Sequence, residues 1–189
     1  MKFCIFHQKK MEELKPISFK FPEEISHVVQ QMIKECMIIR DHDDVDRCDM
    51  IYIYYKQHYR GVDMADKMEN GDLCNTCTFH PYLFRSMGEQ FYRFAAASCY
   101  KISRGDMIIF ISDTGEDIRV TFQAPGELLI TEEELAALLA FPFSRITIGL
   151  KSGGQRKYYF KQGEDGAMLL KWMMWKIHEE AMKKVEGKV

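Results

Sequence analysis

Residues 107–123 read MIIFISDTGEDIRVTFQ, and the way this stretch divides decides the fold class. Two runs rich in β-branched and aromatic residues, MIIFIS and DIRVTFQ, flank DTGE, whose Asp, Thr and Gly supply turn chemistry. The pattern predicts a β-hairpin over 107–123. Moving toward the C-terminus, TEEELAALLAF places Thr131 three residues before Glu134, a capping box ahead of an apolar run, and predicts a short helix. RITIGLK (145–151) and QRKYYFK (155–161) then bracket Ser152-Gly153-Gly154 and read as a second hairpin. The final element, DGAMLLKWMMWKIHEEAMKKV, is apolar on more than one side. Trp172, Met173, Trp175 and Ile177 cover too wide an arc for a helix packed on one side only. It is expected either between layers or against a second copy of the chain, with a homodimer through this helix favoured.

Toward the N-terminus, PYLFRSMGEQFYRFAAASCYK (81–101) sets Leu83, Phe84, Met87, Phe91, Phe94 and Ala95 on one helical stripe, with Pro81 at the start. Residues 57–80 are turn-rich, with a short helix expected in VDMADKME, and MIYIYYK (50–56) has strand composition. FKFPEEISHVVQQMIKECMIIR (19–40) reads as a helix, with Ile25, Val28, Val29, Met32, Ile33 and Cys36 at helical spacing. The expected fold is α+β: a mainly antiparallel sheet built from hairpins, about four helices, and a long apolar C-terminal helix on or between layers. One domain over 1–189 is expected, divisible at most into a helical N-terminal lobe (1–101) and a hairpin-rich lobe (102–189).

The 189 residues are 47% hydrophobic and 29% charged, a globular composition able to bury a core without staples. Neither a secretory leader in MKFCIFHQKKMEELKP nor a run of about 18 apolar residues is found, so no membrane partner and a cytoplasmic location are expected. The six cysteines would there be reduced thiols. The net charge of -2 hides segregation: residues 41–72 hold nine acids and four bases, whereas 145–161 holds five bases and no acid.

GDLCNTCTFHP (71–81) places Cys74, Cys77 and His80 at intervals of three. Such ligands suit zinc, with Cys48 or His42 as a fourth, but no second paired motif closes the tetrahedron, and ordinary thiols in a packed loop are expected. Asp41, Asp43, Asp44, Asp46 and Asp49 offer oxygen ligands without the EF-hand template and read as a solvated loop. YYKQHYRGVDMADKM (54–68) resembles the segment of piggyBac-type transposases in which Gly-Val-Asp precedes a second Asp by three residues. The resemblance covers 15 of 189 residues and implies a metal-ligating role for Asp63. The further strand-borne acids that two-metal phosphoryl chemistry needs are not found in order here. Neither a phosphate-binding glycine loop nor a nucleophile elbow occurs, and the Trp172/Trp175 stripe with its methionines reads as core.

The second hairpin carries the functional expectation. Lys151, Arg156, Lys157, Lys161 and Arg145 supply cations for phosphates, and Tyr158 or Tyr159 supplies an aromatic face for stacking. The expected function is that of a non-enzymatic interaction protein, without cofactor, that engages a nucleic acid, a nucleoprotein or an acidic protein surface. An accessory protein of a phage or mobile element, or an inhibitor of host defence machinery, would fit. The alternative is a metal-dependent, nuclease-like enzyme or zinc module built on residues 41–80.

Overall fold

The computed structural model describes residues 15–19, 25–43, 48–55, 62–67, 73–86, 89–98, 102–160 and 163–183. Among them lie three helices and ten strands: α1 (His27–Lys34), β1 (Cys36–Asp43), β2 (Cys48–Tyr55), β3 (Val62–Lys67), β4 (Leu73–Ser86), β5 (Glu89–Ser98), β6 (Met107–Ser112), β7 (Asp117–Thr121), β8 (Glu127–Ile130), α2 (Glu132–Ala140), β9 (Phe143–Gly149), β10 (Gln155–Phe160) and α3 (Glu164–Met182). Every strand pairing is antiparallel, and the α+β class is as the sequence predicts.

The sheet forks at β4. One edge of this 14-residue strand pairs with β5, and β5 with β8. The other edge is shared: residues 73–79 pair with β3, which leads on through β10, β9 and β6 to β7, and residues 82–86 pair with β2, which leads to β1. His80 and Pro81 fall in the gap between these arms. A proline has no N–H to give a ladder, and the junction is a place where one edge of the strand has no partner to receive it.

Both predicted C-terminal hairpins form, as β6–β7 and β9–β10. Ile108, Phe110, Val120, Ile146, Ile148, Tyr158 and Phe160 are buried on the inner face, and Ile109 and Thr147 in the middle of the outer face are buried as well. The capping box of α2 is complete, with Thr131 Oγ1 accepting from Glu134 N–H at 3.2 Å and Glu134 Oε2 accepting from Thr131 N–H at 2.9 Å.

The helix α3 lies against the inner face, with α1 and α2 packed on it. Leu169, Leu170, Met173, Met174 and Ile177 are all buried. Gly166 permits its closest approach to the sheet, because a Cβ there would stand 2.8 Å from Phe160 Cβ. Trp175 rests on Phe19, with ring centroids 6.2 Å apart. The second face of α3 is thus met within the chain by α1 and the segment 15–19, and both tryptophans are half-buried. Among the described residues the exposed large hydrophobics are Val28 and Met37, neither of them on α3.

Three helical expectations are overturned. Residues 81–86 and 89–98 belong to β4 and β5, VDMADK is the strand β3, and the first helix covers only His27–Lys34 before the chain turns into β1. The stripe read at 81–101 mixes two faces: Leu83 is fully buried and Phe84 points the other way, half-buried. When both faces of a strand carry large apolar residues, period two disappears and a helical spacing can be picked out by chance. The first helix stops because Cys36, Ile38 and Arg40 serve the inner face of β1 opposite Tyr55, Ile53 and Ile51. Ser26 sets its start, accepting from Val29 N–H at 3.1 Å and donating to Asp165 at the head of α3 at 2.7 Å.

Candidate functional site

The outward face of the β9–β10 hairpin gathers part of the predicted basic set. Register places Arg145 opposite Tyr159 and Thr147 opposite Lys157. Arg145 and Lys157 are therefore diagonal neighbours on one face, with Cα atoms about 7–8 Å apart. Both are exposed, and Tyr159 beside them is half-buried. Neither Arg145 nor Lys157 forms an ion pair among the described residues.

Two predicted residues point elsewhere. Tyr158 stands opposite Ile146 and is 1% exposed, so its ring belongs to the core and is not available for stacking. Arg156, opposite Ile148, lies on the inner side and lines a depression of about 410 Å³ with Leu150, Gly154, Gln155 and Lys157 at the turn end of the hairpin. Arg156 and Lys157 thus face opposite ways, as alternation requires. Lys161 lies outside the described residues.

The tip is rigidly built. Gly153 and Gly154 both take positive φ, 95° and 91°, and the turn closes through Gly153 N–H to Leu150 C=O at 2.9 Å and Leu150 N–H to Gly154 C=O at 3.1 Å. Asp106, buried ahead of β6, accepts from Ser103 N–H at 2.7 Å and from Lys151 N–H at 2.8 Å. One carboxylate thereby pins the tip to the turn 103–106. The stem of Lys151 crosses Gly105, where a Cβ would meet Lys151 Cδ at 3.1 Å. Arg104 is exposed next to it.

Arg104 and Arg119 escaped the sequence reading. Arg119 on β7 shares the outer row Arg119–Ile109–Thr147–Lys157, and its signal was legible in DIRVTFQ, where Asp117, Arg119 and Thr121 alternate with Ile118, Val120 and Phe122. Its guanidinium is held by both oxygens of Asp117 at 2.9 Å, which depresses the Asp117 carboxyl through that hydrogen bond. The acids of the β6–β7 turn lie at the end of the sheet away from the glycine tip, as the pairing of Ser112 with Phe143 requires. Among the described residues, Arg104, Arg145, Lys151 and Lys157 are exposed cations without an ion pair.

The metal candidates are spread along the sheet. Cys74, Cys77 and His80 all lie on β4, opposite Asp66, Met64 and Ala95 respectively. At about 3.3 Å per residue, Cys74 and His80 are about 20 Å apart along the strand, too far for one tetrahedral ion to span. The side chains of Cys74 and Cys77 are not among those described. Cys48 is buried opposite Ser86, and Asp63 stands opposite Thr78. Of the acidic run, Asp41 and Asp49 are exposed, and Asp49 accepts from His42 Nδ1 across the β1–β2 pair at 2.6 Å; Asp44 and Asp46 lie outside the described residues. Among the described residues no three His, Cys, Asp or Glu side chains are grouped to hold a metal, and no helix is long and apolar enough to cross a membrane. Comparison with family models, with curated proteins and with solved structures finds no match.

Proposed function

We propose that this chain is a non-enzymatic interaction protein that binds nucleic-acid phosphates on the outer face of the β9–β10 hairpin. The observation that supports this best is the diagonal pair Arg145 and Lys157, exposed and without an ion-pair partner among the described residues, beside the half-buried ring of Tyr159. The strands that carry these cations are already ordered, so docking a phosphate costs side-chain freedom alone, and counterions condensed on the nucleic acid are released in return. Lys151 and Arg104 extend the positive surface to the tip. Arg156 belongs to the inner side and contributes no primary contact.

The test is fluorescence anisotropy of a labelled oligonucleotide with the full chain and an Arg145→Glu/Lys157→Glu variant. The variant is expected to bind at least tenfold more weakly and to lose about two units from its salt slope, one for each phosphate contact removed. Because both side chains are exposed, its thermal unfolding should match that of the parent chain. Unchanged affinity and slope would contradict the proposal. Binding of an acidic peptide in place of the oligonucleotide would make the surface one for acidic proteins.

A further inference from the structure

The tip of the β9–β10 hairpin and the turn ahead of β6 are joined, and each holds a basic residue at its first corner. In residues 103–106 the Asp106 N–H closes onto the Ser103 C=O at 3.1 Å. Arg104 stands at the corner, and Gly105 takes φ 91°, the conformation that a type II turn requires at its third position. In residues 150–153 the Gly153 N–H closes onto the Leu150 C=O at 2.9 Å, with Lys151 at the corresponding corner. Arg104 and Lys151 are both exposed, and neither forms an ion pair among the described residues. One carboxylate joins the turns: Asp106 is 4% exposed and accepts from Ser103 N–H at 2.7 Å and from Lys151 N–H at 2.8 Å. Its own backbone is tied to β7, because its C=O accepts from Phe122 N–H at 2.8 Å and Gly105 N–H donates to Phe122 C=O at 2.9 Å. The Lys151 side chain then lies across Gly105, where a Cβ would meet Cδ at 3.1 Å and both Cε and Nζ at 3.8 Å.

We propose that these joined turns form a phosphate clamp, in which Lys151 and Arg104 bind the phosphate and Asp106 and Gly105 position them. The inference rests on the nucleic-acid reading above and deepens it by giving the site a second anchor, apart from Arg145 and Lys157.

Order is what separates this pair from two lysines on an open loop. A long cationic side chain loses rotamer freedom when it docks, and less is lost where its backbone is pinned and its stem already lies along a surface. Gly105 allows that path. Any larger residue would stand where the stem runs, and φ 91° is itself costly for a residue with a Cβ. Asp106 holds Lys151 by its backbone N–H and not by its ammonium, so the charge remains for an outside anion. Position along the sheet sets the length of the partner. Thr147 stands opposite Lys157, and at about 3.3 Å per residue Lys151 lies about 13 Å beyond that row and about 20 Å from Arg145. Phosphates of one stacked strand follow at about 3.4 Å along its axis, so a strand of about six nucleotides reaches both anchors and a much shorter one reaches a single anchor.

The experiment titrates the full chain with labelled oligothymidylates of twelve and of three residues, read by anisotropy over a range of salt. An Arg104→Ala/Lys151→Ala variant should bind the twelve-residue strand at least fivefold more weakly and lose about 1.4 units of salt slope, for two contacts to a single strand. Its affinity for the three-residue strand should change less than twofold, since the other anchor remains. Thermal unfolding should match the parent's, both side chains being exposed. Asp106→Asn keeps both cations and loses one of the two accepting oxygens. It should weaken the long strand about threefold with the slope unchanged, and Lys151→Arg should bind as the parent does. Parental affinity and slope in the Arg104→Ala/Lys151→Ala variant, with binding still lost in Arg145→Glu/Lys157→Glu, would overturn the clamp and leave the phosphate-binding reading standing. Parental affinity in Asp106→Asn would overturn the positioning role. Failure of the parent chain to bind either strand would overturn both readings.

Discussion

Glu180 shows how a single side chain near the end of α3 ties helix to sheet. It is 7% exposed and accepts from Arg40 of β1 at 2.9 Å and from Lys183 at 2.5 Å, with Lys176 at 3.4 Å. Burial pushes its carboxyl up, but the hydrogen bonds from Lys183 and Arg40 and the charges of Lys183 and Lys176 outweigh that and take it down to about 2. Arg40 also donates to the backbone C=O of Glu180, and Arg85 of β4 to that of Ala181, each at 2.7 Å, so two sheet cations satisfy the last carbonyls of α3. The sign of the pH effect follows from the lowered carboxyl. Between its ordinary value near 4.5 and about 2, the unfolded chain binds this proton and the folded chain does not. The stabilisation is therefore complete above about pH 4.5 and is lost as the pH falls toward 2. Glu180→Gln should cost about 1–3 kcal/mol at pH 7 in denaturant unfolding, and its stability should fall less steeply than the parent's through that acid window. Parallel acid profiles for the two chains would show that the cluster does not hold α3. A second buried anchor, His178, receives the Tyr92 hydroxyl at Nδ1 and donates from Nε2 to the C=O of Lys15 at 2.8 Å. A carbonyl can only accept, which fixes the hydrogen on Nε2, and burial raises the Tyr92 phenol, which keeps it a donor.

Among the elements, the β9–β10 hairpin depends on a residue that is distant in sequence. The carboxylate of Asp106 bonds two backbone N–H groups, one in its own turn and one at Lys151. Asp106→Ala should cost about 1–3 kcal/mol and raise amide exchange at Ser103 and Lys151 more than at Ile146 or Ile148. Uniform exchange across the hairpin would show that the glycine turn alone fixes the tip. The hairpins, α2 and α3 were legible in the sequence because each has one wet face or a marked boundary: Asp117 and Arg119 against Ile118 and Val120, or Thr131 and Glu134 framing α2. β4 and β5 were not legible, since Tyr82 and Phe84 make the outer face as apolar as the inner one and Pro81 imitates a helix start. The same ambiguity hid the pairing of β4 with β2. A sequence read as a helix over 81–101 cannot bring His80 and Tyr82 beside Tyr52, because that adjacency exists only in the register of β2 with β4. Arg145 and Lys157 could be paired from the hairpin alone, whereas the loss of Tyr158 to the core follows from a parity that the turn length sets.

At the scale of the molecule, α3 occupies the inner side of a forked sheet, and three arms of that sheet meet on β4. One side of the sheet is thereby committed to the core, and on the other the described residues include the exposed cations Arg145 and Lys157 on β9 and β10. A rigid support of this kind holds its contact residues at low entropic cost on binding. The central claim is that this outer face, and no other, meets the partner. Amide hydrogen exchange of the full chain with and without a saturating single-stranded oligonucleotide tests it most directly. Added protection is predicted in residues 145–149 and 155–159, with no change in α1 or in residues 169–178 of α3. Protection confined to α1 or α3, with the outer strands unchanged, would contradict the account.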